Sequence, residues 1–252
     1  MKRARIIPVL LLKKQGLCKT IKFGKDRYIG DPLNAVKIFN AKQCDELVLL
    51  DILASREDRG INLKKIEEIA LECFMPLAYG GGLKTLRDIE VVLKLGVEKV
   101  ILNSVLLENF SFLKEAVTEF GGSTIVASVD VKKNLFGKYV VYSHSGKKTP
   151  HDLYAYLDLI QAENAGELMI NCVDLDGTRL GYDTKLAAKI SEPFSMPVTW
   201  CGGCSSFEDM KNLIESTQVS AAAAGSFFIY KGALQAVLIN YPAPSEIGNI
   251  IV

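Results

Sequence analysis

The sequence has no excess of either charge, no long apolar run and few histidines. Its 30 basic and 29 acidic side chains leave a net charge of +1, which argues against an electrostatic nucleic-acid binder. The apolar run at 6–12 is too short to span a bilayer, and it lacks the small-residue cleavage site of a signal peptide. We therefore expect a cytoplasmic protein that binds neither membrane nor nucleic acid.

The six cysteines lack the spacing of a disulfide framework, so we expect them to stay reduced. Cys201 and Cys204 form a lone CxxC pair. A zinc site there would need two further ligands, and the only histidines are His144 and His151. We expect no metal and no cofactor, and we interpret the pair as small residues near a tight turn rather than as a metal or redox site.

Short apolar runs recur eight times, each followed by turn residues and a helical pattern, as buried parallel strands do. They cover residues 5–11, 46–53, 76–80, 99–103, 124–131, 167–173, 197–201 and 219–224. This alternation predicts an α/β fold, a single (β/α)8 TIM barrel over residues 1–252. An open doubly wound sheet is the alternative, but the GxGxxG turn typical of its first strand is missing.

Several helix starts are predicted by residues that cap or open helices. The candidates are Asp31 before Pro32, Thr85, Thr149 before Pro150 with Asp152 in the first turn, and Ser205 or Ser206. An apolar stripe with helical spacing predicts one further helix. Its members are Leu106, Phe110, Leu113, Val117 and Phe120.

The two halves of the chain, about 1–120 and 121–252, resemble each other. PLAYGGG at 76–82 aligns with PVTWCGG at 197–203, and ELVLL at 46–50 aligns with ELMIN at 167–171 at the same offset. At an offset two residues shorter, LLKK at 11–14 aligns with DVKK at 130–133. A barrel built from two half-barrels explains this repeat, and it makes Leu11 the counterpart of Asp130.

Glycine clusters at the predicted strand ends indicate anion binding, because backbone N–H groups and helix N-termini favour negative charge. The candidate phosphate-binding residues are Gly81, Gly82, Asn103 and Ser104 in the first half and Asp176, Gly177, Gly202, Gly203, Gly225 and Ser226 in the second. Two such sites on one barrel mouth suggest a long ligand with a phosphate at each end.

Two carboxylates stand at predicted strand ends, where barrel enzymes carry their chemistry. Asp130 and Asp51 are general acid/base candidates, with a turn or cap residue as the alternative. For Asp130 we favour catalysis, and for Asp51 both interpretations stay open.

Charged residues open four of the predicted strands, at the opposite end of the barrel. They are Arg5, Glu46, Lys99 and Glu167. A stabilising salt-bridged plug and a gate on an axial passage are both compatible with this pattern. The first loop, 12–30, is rich in lysine and includes Lys19. It is either a mobile lid over a phosphate ligand or a solvated surface loop.

Taken together, these motifs resemble HisF, the cyclase subunit of imidazole glycerol phosphate synthase, over nearly the whole chain. They are RIIP at 5–8, GDP at 30–32, DELVLLDILAS at 45–55, YGGG at 79–82, EKVILNS at 98–104, SGKK at 145–148, DLDGTRLGYD at 174–183, CGG at 201–203 and AAGSFF at 223–228. The related HisA isomerase shares the phosphate motifs, whereas the DGT-x-x-GYD string and the four charged residues favour HisF.

The resemblance implies a lyase of histidine biosynthesis. HisF converts ammonia and a phosphoribulosyl bisphosphate intermediate into imidazole glycerol phosphate and an aminoimidazole carboxamide ribotide. Ammonia comes from a glutaminase, HisH, docked on the barrel bottom. The resemblance further implies that the four charged residues gate the ammonia passage, that the glycine clusters bind phosphate and that Asp130 is catalytic.

The family's second catalytic aspartate ends the first strand, where this chain has Leu11. Leucine cannot transfer a proton, and loss of a general acid or base typically lowers the rate by ~10²–10⁴. The chain thus also resembles the HisF-like proteins of surface-polysaccharide and flagellar sugar pathways. That resemblance implies a HisH-like glutaminase and a separate amidotransferase that makes acetamidino sugars.

Three hypotheses follow: an ammonia-conducting subunit, a working cyclase, and a different phosphosugar enzyme on a related barrel.

Overall fold

Eight parallel strands form the centre of the computed structural model, which describes residues 4–144, 146–150, 152–232, 234–243 and 246. We number them β1 Arg5–Lys13, β2 Leu47–Asp51, β3 Leu77–Gly80, β4 Lys99–Leu102, β5 Ile125–Lys133, β6 Glu167–Cys172, β7 Val198–Cys201 and β8 Ala221–Ala224. Each strand pairs with the next, and β8 pairs with β1 to close the sheet. The predicted (β/α)8 barrel is confirmed.

Helices connect consecutive barrel strands, and one short helix follows β8. They span Pro32–Ala41, Leu63–Glu72, Leu86–Lys94, Ser104–Glu108, Ser111–Phe120, Leu153–Ala162, Thr184–Ser191, Phe207–Ser216 and Ser226–Ile229, with a 3-10 turn at Gly122–Thr124. Among the described residues, no helix is both long and apolar enough to cross a membrane.

The caps show which sequence signals set the helix starts. Asp31 accepts hydrogen bonds from the N–H groups of the first turn, and Thr85 and Ser206 each form a capping box, as predicted. The prediction for Thr149 is wrong, because Asp152 caps the helix that begins at Leu153.

The single helix predicted from the stripe Leu106 to Phe120 is also wrong. The chain leaves helical geometry at Asn109, so a short helix and a longer one share the stripe.

Two apolar clusters lie on opposite sides of the barrel wall. The larger one fills the space between strands and helices. The smaller one fills the inside of the barrel and consists of Ile7, Val9, Val48, Ala78, Ile101, Val126, Met169, Cys201, Ala221 and Ala223, with Leu11 and Leu50 packed against it. Because successive side chains of a strand point to opposite faces, each barrel strand contributes to both clusters.

Two antiparallel extensions rise from the strand ends. After β1, the strands Gly16–Lys19 and Arg27–Gly30 continue the sheet, so much of the predicted loop 12–30 is ordered strand. After β5, the strand Tyr139–Val141 folds back onto β5. A small separate sheet pairs Tyr230–Lys231 with Ala236–Val237. We call the C-terminal ends of the barrel strands the top and the N-terminal ends the bottom.

Candidate functional site

The four predicted charged residues meet at the bottom of the barrel. Arg5 contacts Glu46 at 2.5 Å and Glu167 at 2.8 Å, and Lys99 contacts the same carboxylates at 2.9 and 3.1 Å. Thr199 adds a hydroxyl donor to Glu167. The result is a closed ring of alternating charge across the barrel axis, which we call the bottom ring.

The two glutamates of the bottom ring are buried, whereas its two cations are partly exposed. Burial alone would raise the carboxyl pKa of Glu167, but Arg5 and Lys99 outweigh it, so that pKa lies below its usual value. Glu167 therefore stays charged at neutral pH. The ring geometry is compatible with both the plug and the gate.

Above the bottom ring, the inside of the barrel is lined by the smaller apolar cluster, which we call the lumen. Alanines at 78, 221 and 223 take up little of its cross-section. The side chains that form this cluster are uncharged, and the buried ammonium of Lys19 reaches its edge at the carbonyl of Val9. A small neutral molecule would meet few hydrogen-bonding groups there.

The lumen leads to a cavity of about 210 Å³ at the top of the barrel. Leu11 and Leu50 face it from β1 and β2, and Asp130 and Asn171 face it from β5 and β6. Since β1 and β5 stand four strands apart in a ring of eight, Leu11 lies across the barrel from Asp130. Two apolar side chains therefore lie across the cavity from a carboxyl group and an amide, although Lys13 and Asp51 of β1 and β2 also line it.

Two amide side chains lie beside the carboxyl group of Asp130. Asn103 Nδ2 donates to Asp130 Oδ2 at 3.0 Å, and Asn171 is the neighbour of Asp130 across the β5–β6 ladder. Burial raises the pKa of Asp130 to about 7, although these amides oppose the shift, while the nearby Asp176 adds to it. A carboxyl group with this pKa can both give and take a proton near neutral pH.

Asp51 is fixed in an ion pair that the sequence did not reveal. Arg59 Nη2 lies 2.6 Å from both of its oxygens, and Asp51 also accepts the N–H groups of Leu53 and Ala54 at 3.2 Å. These bonds occupy both carboxylate oxygens. This geometry favours the structural alternative for Asp51.

The first glycine cluster lies against the cavity. Gly81, Gly82, Asn103 and Ser104 all line it. Gly81 has φ +119°, and a Cβ atom there would collide with the backbone oxygen of Asp51, so only glycine fits. Gly82 N donates to Ser55 Oγ at 3.1 Å. The predicted residues of the first anion site are thus brought together beside the cavity.

The second cluster surrounds only a narrow gap of about 10 Å³, lined by Asp176, Gly177, Gly202, Gly203, Gly225 and Ser226. Lys19 is buried beside Gly225, and its ammonium donates to the carbonyl of Val9 at 2.9 Å. Burial lowers the pKa of Lys19, although Asp176 opposes this. Lys19 therefore does not belong to a solvated surface loop.

Arg179 also lines this gap, and its buried Nε has no hydrogen-bond partner within the described part of the chain. The sequence analysis missed this cation, although it stands inside the DGT-x-x-GYD string.

An aromatic contact bridges the mouth of the cavity. The ring of Phe23, after β1, lies 5.7 Å from His144 and 6.1 Å from Tyr142, both after β5. Burial lowers the pKa of His144, and Arg56 adds to the effect. The sequence analysis missed this bridge, because its two sides are far apart in the chain.

No group of three histidine, cysteine or acidic side chains able to hold a metal occurs among the described residues, which do not include His151. Cys201 and Cys204 are both free and buried. On the bottom face, Leu71 and Phe74 are 73% and 85% exposed, next to the start of β3.

Comparison with known proteins gives consistent matches. The family described as "Histidine biosynthesis protein" matches residues 5–235. A Vibrio vulnificus protein, provisionally named as an imidazole glycerol phosphate synthase subunit of the HisF type, is 47% identical over 98% of this chain and 95% of its own.

A Leptospira borgpetersenii protein with a similarly provisional name is 46% identical over 96% of both chains. A Clostridium botulinum protein named imidazole glycerol phosphate synthase subunit HisF is 37% identical over 90% of both chains.

Proposed function

The chain belongs to the histidine biosynthesis protein family and is HisF-like, and on this basis we propose that it is an ammonia-conducting barrel subunit. Ammonia enters through the bottom ring, crosses the apolar lumen and reaches the cavity at the top. A neutral molecule of this size loses little by leaving water for a short apolar passage that ends at polar groups.

The observation that carries this proposal is Leu11. It faces the cavity across from Asp130, beside Leu50, so neither of these two positions offers a proton donor or acceptor. Lys13 and Asp51 of the same strands also line the cavity, but Lys13 is paired with Asp26 and Asp51 with Arg59. The bottom ring and the apolar lumen support the proposal, because ammonia would have to cross both to reach the cavity. A barrel with these features and with leucine at position 11 suits delivery of ammonia better than cyclisation.

A HisH-like glutaminase is the proposed partner at the bottom face. Exposed Leu71 and Phe74 lie on this face, where the bottom ring also opens. Large apolar side chains exposed together are typical of protein interfaces.

We further propose that the delivered ammonia is used by a separate cytoplasmic amidotransferase that forms acetamidino sugars for polysaccharide or flagellin glycans. The similarity to two provisionally named HisF-type proteins at 46–47%, against 37% for the plainly named one, supports a branch apart from histidine synthesis.

A working cyclase is the second candidate, and Asp130 is the observation that favours it. Its carboxyl group faces a cavity that also holds the first anion site, and its pKa of about 7 suits proton transfer. In that case a water molecule covers for the missing aspartate.

The cyclase assay separates the two candidates. Purified chain receives saturating ammonium salt and the phosphoribulosyl bisphosphate intermediate, with Leu11→Asp run beside it. We expect no turnover by the wild type at a rate useful for growth, because one acid/base group is worth ~10²–10⁴ in rate. Robust wild-type turnover, or rescue of a histidine auxotroph, would make the chain a cyclase.

Phe74→Asp tests the glutaminase partner. Co-purification with a HisH-like glutaminase should weaken by ~10-fold or more, since a buried anchor residue is worth ~2 kcal/mol or more at an interface. Phe136→Asp is the matched control, because Phe136 is 95% exposed on the hairpin at the top. Equal loss in both variants, or in neither, would contradict docking at the bottom.

A further inference from the structure

We propose that Ser128, Asp130 and Asn171 form a reception site that binds ammonia where the lumen opens into the cavity. This inference rests on the proposed function, because the ligand is the molecule that the barrel conducts. It assigns a binding role to Ser128 and Asn171, neither of which the sequence motifs identified.

The position of the three residues follows from the strand register. Ser128 and Asp130 are two residues apart on β5, so they share the inner face. Asn171 pairs with Asp130 across the β5–β6 ladder. One step lower on the same face, Val126 and Met169 belong to the apolar lumen. The three polar side chains therefore follow the apolar lumen directly along β5 and β6, and all three line the cavity.

One oxygen atom of this group is buried without a partner within the described residues. Asn171 is 8% exposed, and its Oδ1 accepts no hydrogen bond. Ser128 is 9% exposed and lines the same cavity. A buried carbonyl oxygen without a donor is destabilising, so a bound molecule that carries N–H groups would be favoured there.

Ammonia matches the chemistry of these groups. It offers three N–H donors and one lone pair, and the site offers a carboxyl group, an amide oxygen and a hydroxyl oxygen. Ammonia is more basic than a carboxylate, so the proton of neutral Asp130 moves to the nitrogen and leaves an ammonium–carboxylate pair. The reverse transfer returns the proton to Asp130 and releases neutral, nucleophilic ammonia. No other reactant is needed.

The site can be tested on the isolated chain by NMR. With 13C-labelled aspartate, the Asp130 carboxyl resonance is identified by its loss in Asp130→Asn and followed while ammonium chloride is added. We expect a saturable shift. Equal concentrations of sodium, potassium or tetramethylammonium chloride should not reproduce it, because these cations carry no N–H donors.

Three variants define the expected pattern. Asn171→Leu keeps the branched shape of the side chain but removes the acceptor, and should weaken ammonium binding ~10-fold, the factor that a single hydrogen bond supplies. Asn171→Thr restores an oxygen and should recover much of the binding. Asn212→Leu, at an exposed helix position, is the matched control. Circular dichroism and thermal unfolding check that each variant is folded.

The inference is overturned if the ammonium shift does not saturate, if potassium or sodium reproduces it, or if Asn171→Leu binds like the wild type. Because no glutaminase is present, the outcome is separate from that of the proposed function. Binding by a chain that never associates with a glutaminase would leave the reception site standing and refute the assembly.

Discussion

Removing one carboxylate from the bottom ring should destabilise the protein more than removing a whole ion pair. Glu46 is 5% exposed and contacts both Arg5 and Lys99. Glu46→Leu leaves these two cations with Glu167 as their common partner. The double variant Arg5→Met/Glu46→Leu removes one charge of each sign and leaves Lys99 paired with Glu167.

The magnitude follows from the exposure of the partners. Breaking a buried ion pair by removing one member typically costs 3–5 kcal/mol, whereas replacing both members by apolar residues is often neutral. Arg5 and Lys99 are 27% and 22% exposed, so water screens part of their repulsion. We therefore expect a loss of about 3 kcal/mol for Glu46→Leu and of about 1 kcal/mol for the double variant.

A double-mutant cycle measures the coupling. The free energy of urea unfolding is determined for the wild type, Arg5→Met, Glu46→Leu and the double variant, and the values are compared only if the m-values are equal. The exposed helix pair Lys94–Glu90 serves as the control, and its cycle should show no measurable coupling. If the losses of the two single variants simply add in the double variant, the ring is not an electrostatically coupled unit and the reasoning fails.

Two further predictions concern the top of the barrel. Gly81→Ala should destabilise the protein by about 2–4 kcal/mol, because the alanine would have a positive φ and its Cβ would collide with Asp51. Gly137→Ala is the control, at φ +76° with no atom within 4 Å, and should cost about 1 kcal/mol. Equal losses of stability in thermal unfolding would contradict this prediction. In the folded protein Asp130 keeps its proton up to about pH 7, whereas in the unfolded chain it loses the proton near pH 4. Deprotonation therefore favours the unfolded state first, and the free energy of unfolding falls as pH rises from about 4 to about 7. Asp130→Asn removes that loss and should gain on the wild type by about 3 kcal/mol from about pH 4 to pH 7, with a nearly constant difference above. A pH-independent difference in the free energy of unfolding would refute the raised pKa.

The sequence predicted the structure correctly wherever a local feature, such as a buried strand, a helix cap or a positive φ, requires one type of residue. Buried parallel strands must be apolar on both faces, so eight such runs predicted the barrel. Asp31 and Ser206 were identifiable as caps because a short polar side chain before a helix accepts hydrogen bonds from the N–H groups of the first turn, whatever the rest of the fold. The glycines at the top of β3 were informative for the same reason, since only glycine fits at Gly81.

Pairings between distant segments could not be derived in this way. Arg59 binds Asp51 only because the segment after β2 turns back onto the strand end. Lys19 looked like one of several loop lysines, but the strand Gly16–Lys19 carries it into the second glycine cluster. The apolar stripe around Asn109 has helical spacing throughout, so the spacing alone could not predict that the helix ends at Asn109.

The barrel wall separates the residues that fold the protein from those that face its interior. Helix packing depends on the outer cluster, and the width of the lumen depends on a different set that includes Ala78, Ala221 and Ala223. The interior and the strand tips can therefore change while the scaffold stays stable. Leu11, at the top of β1, lies at such a position, because it packs against the lumen cluster and lines the cavity rather than supporting the helices.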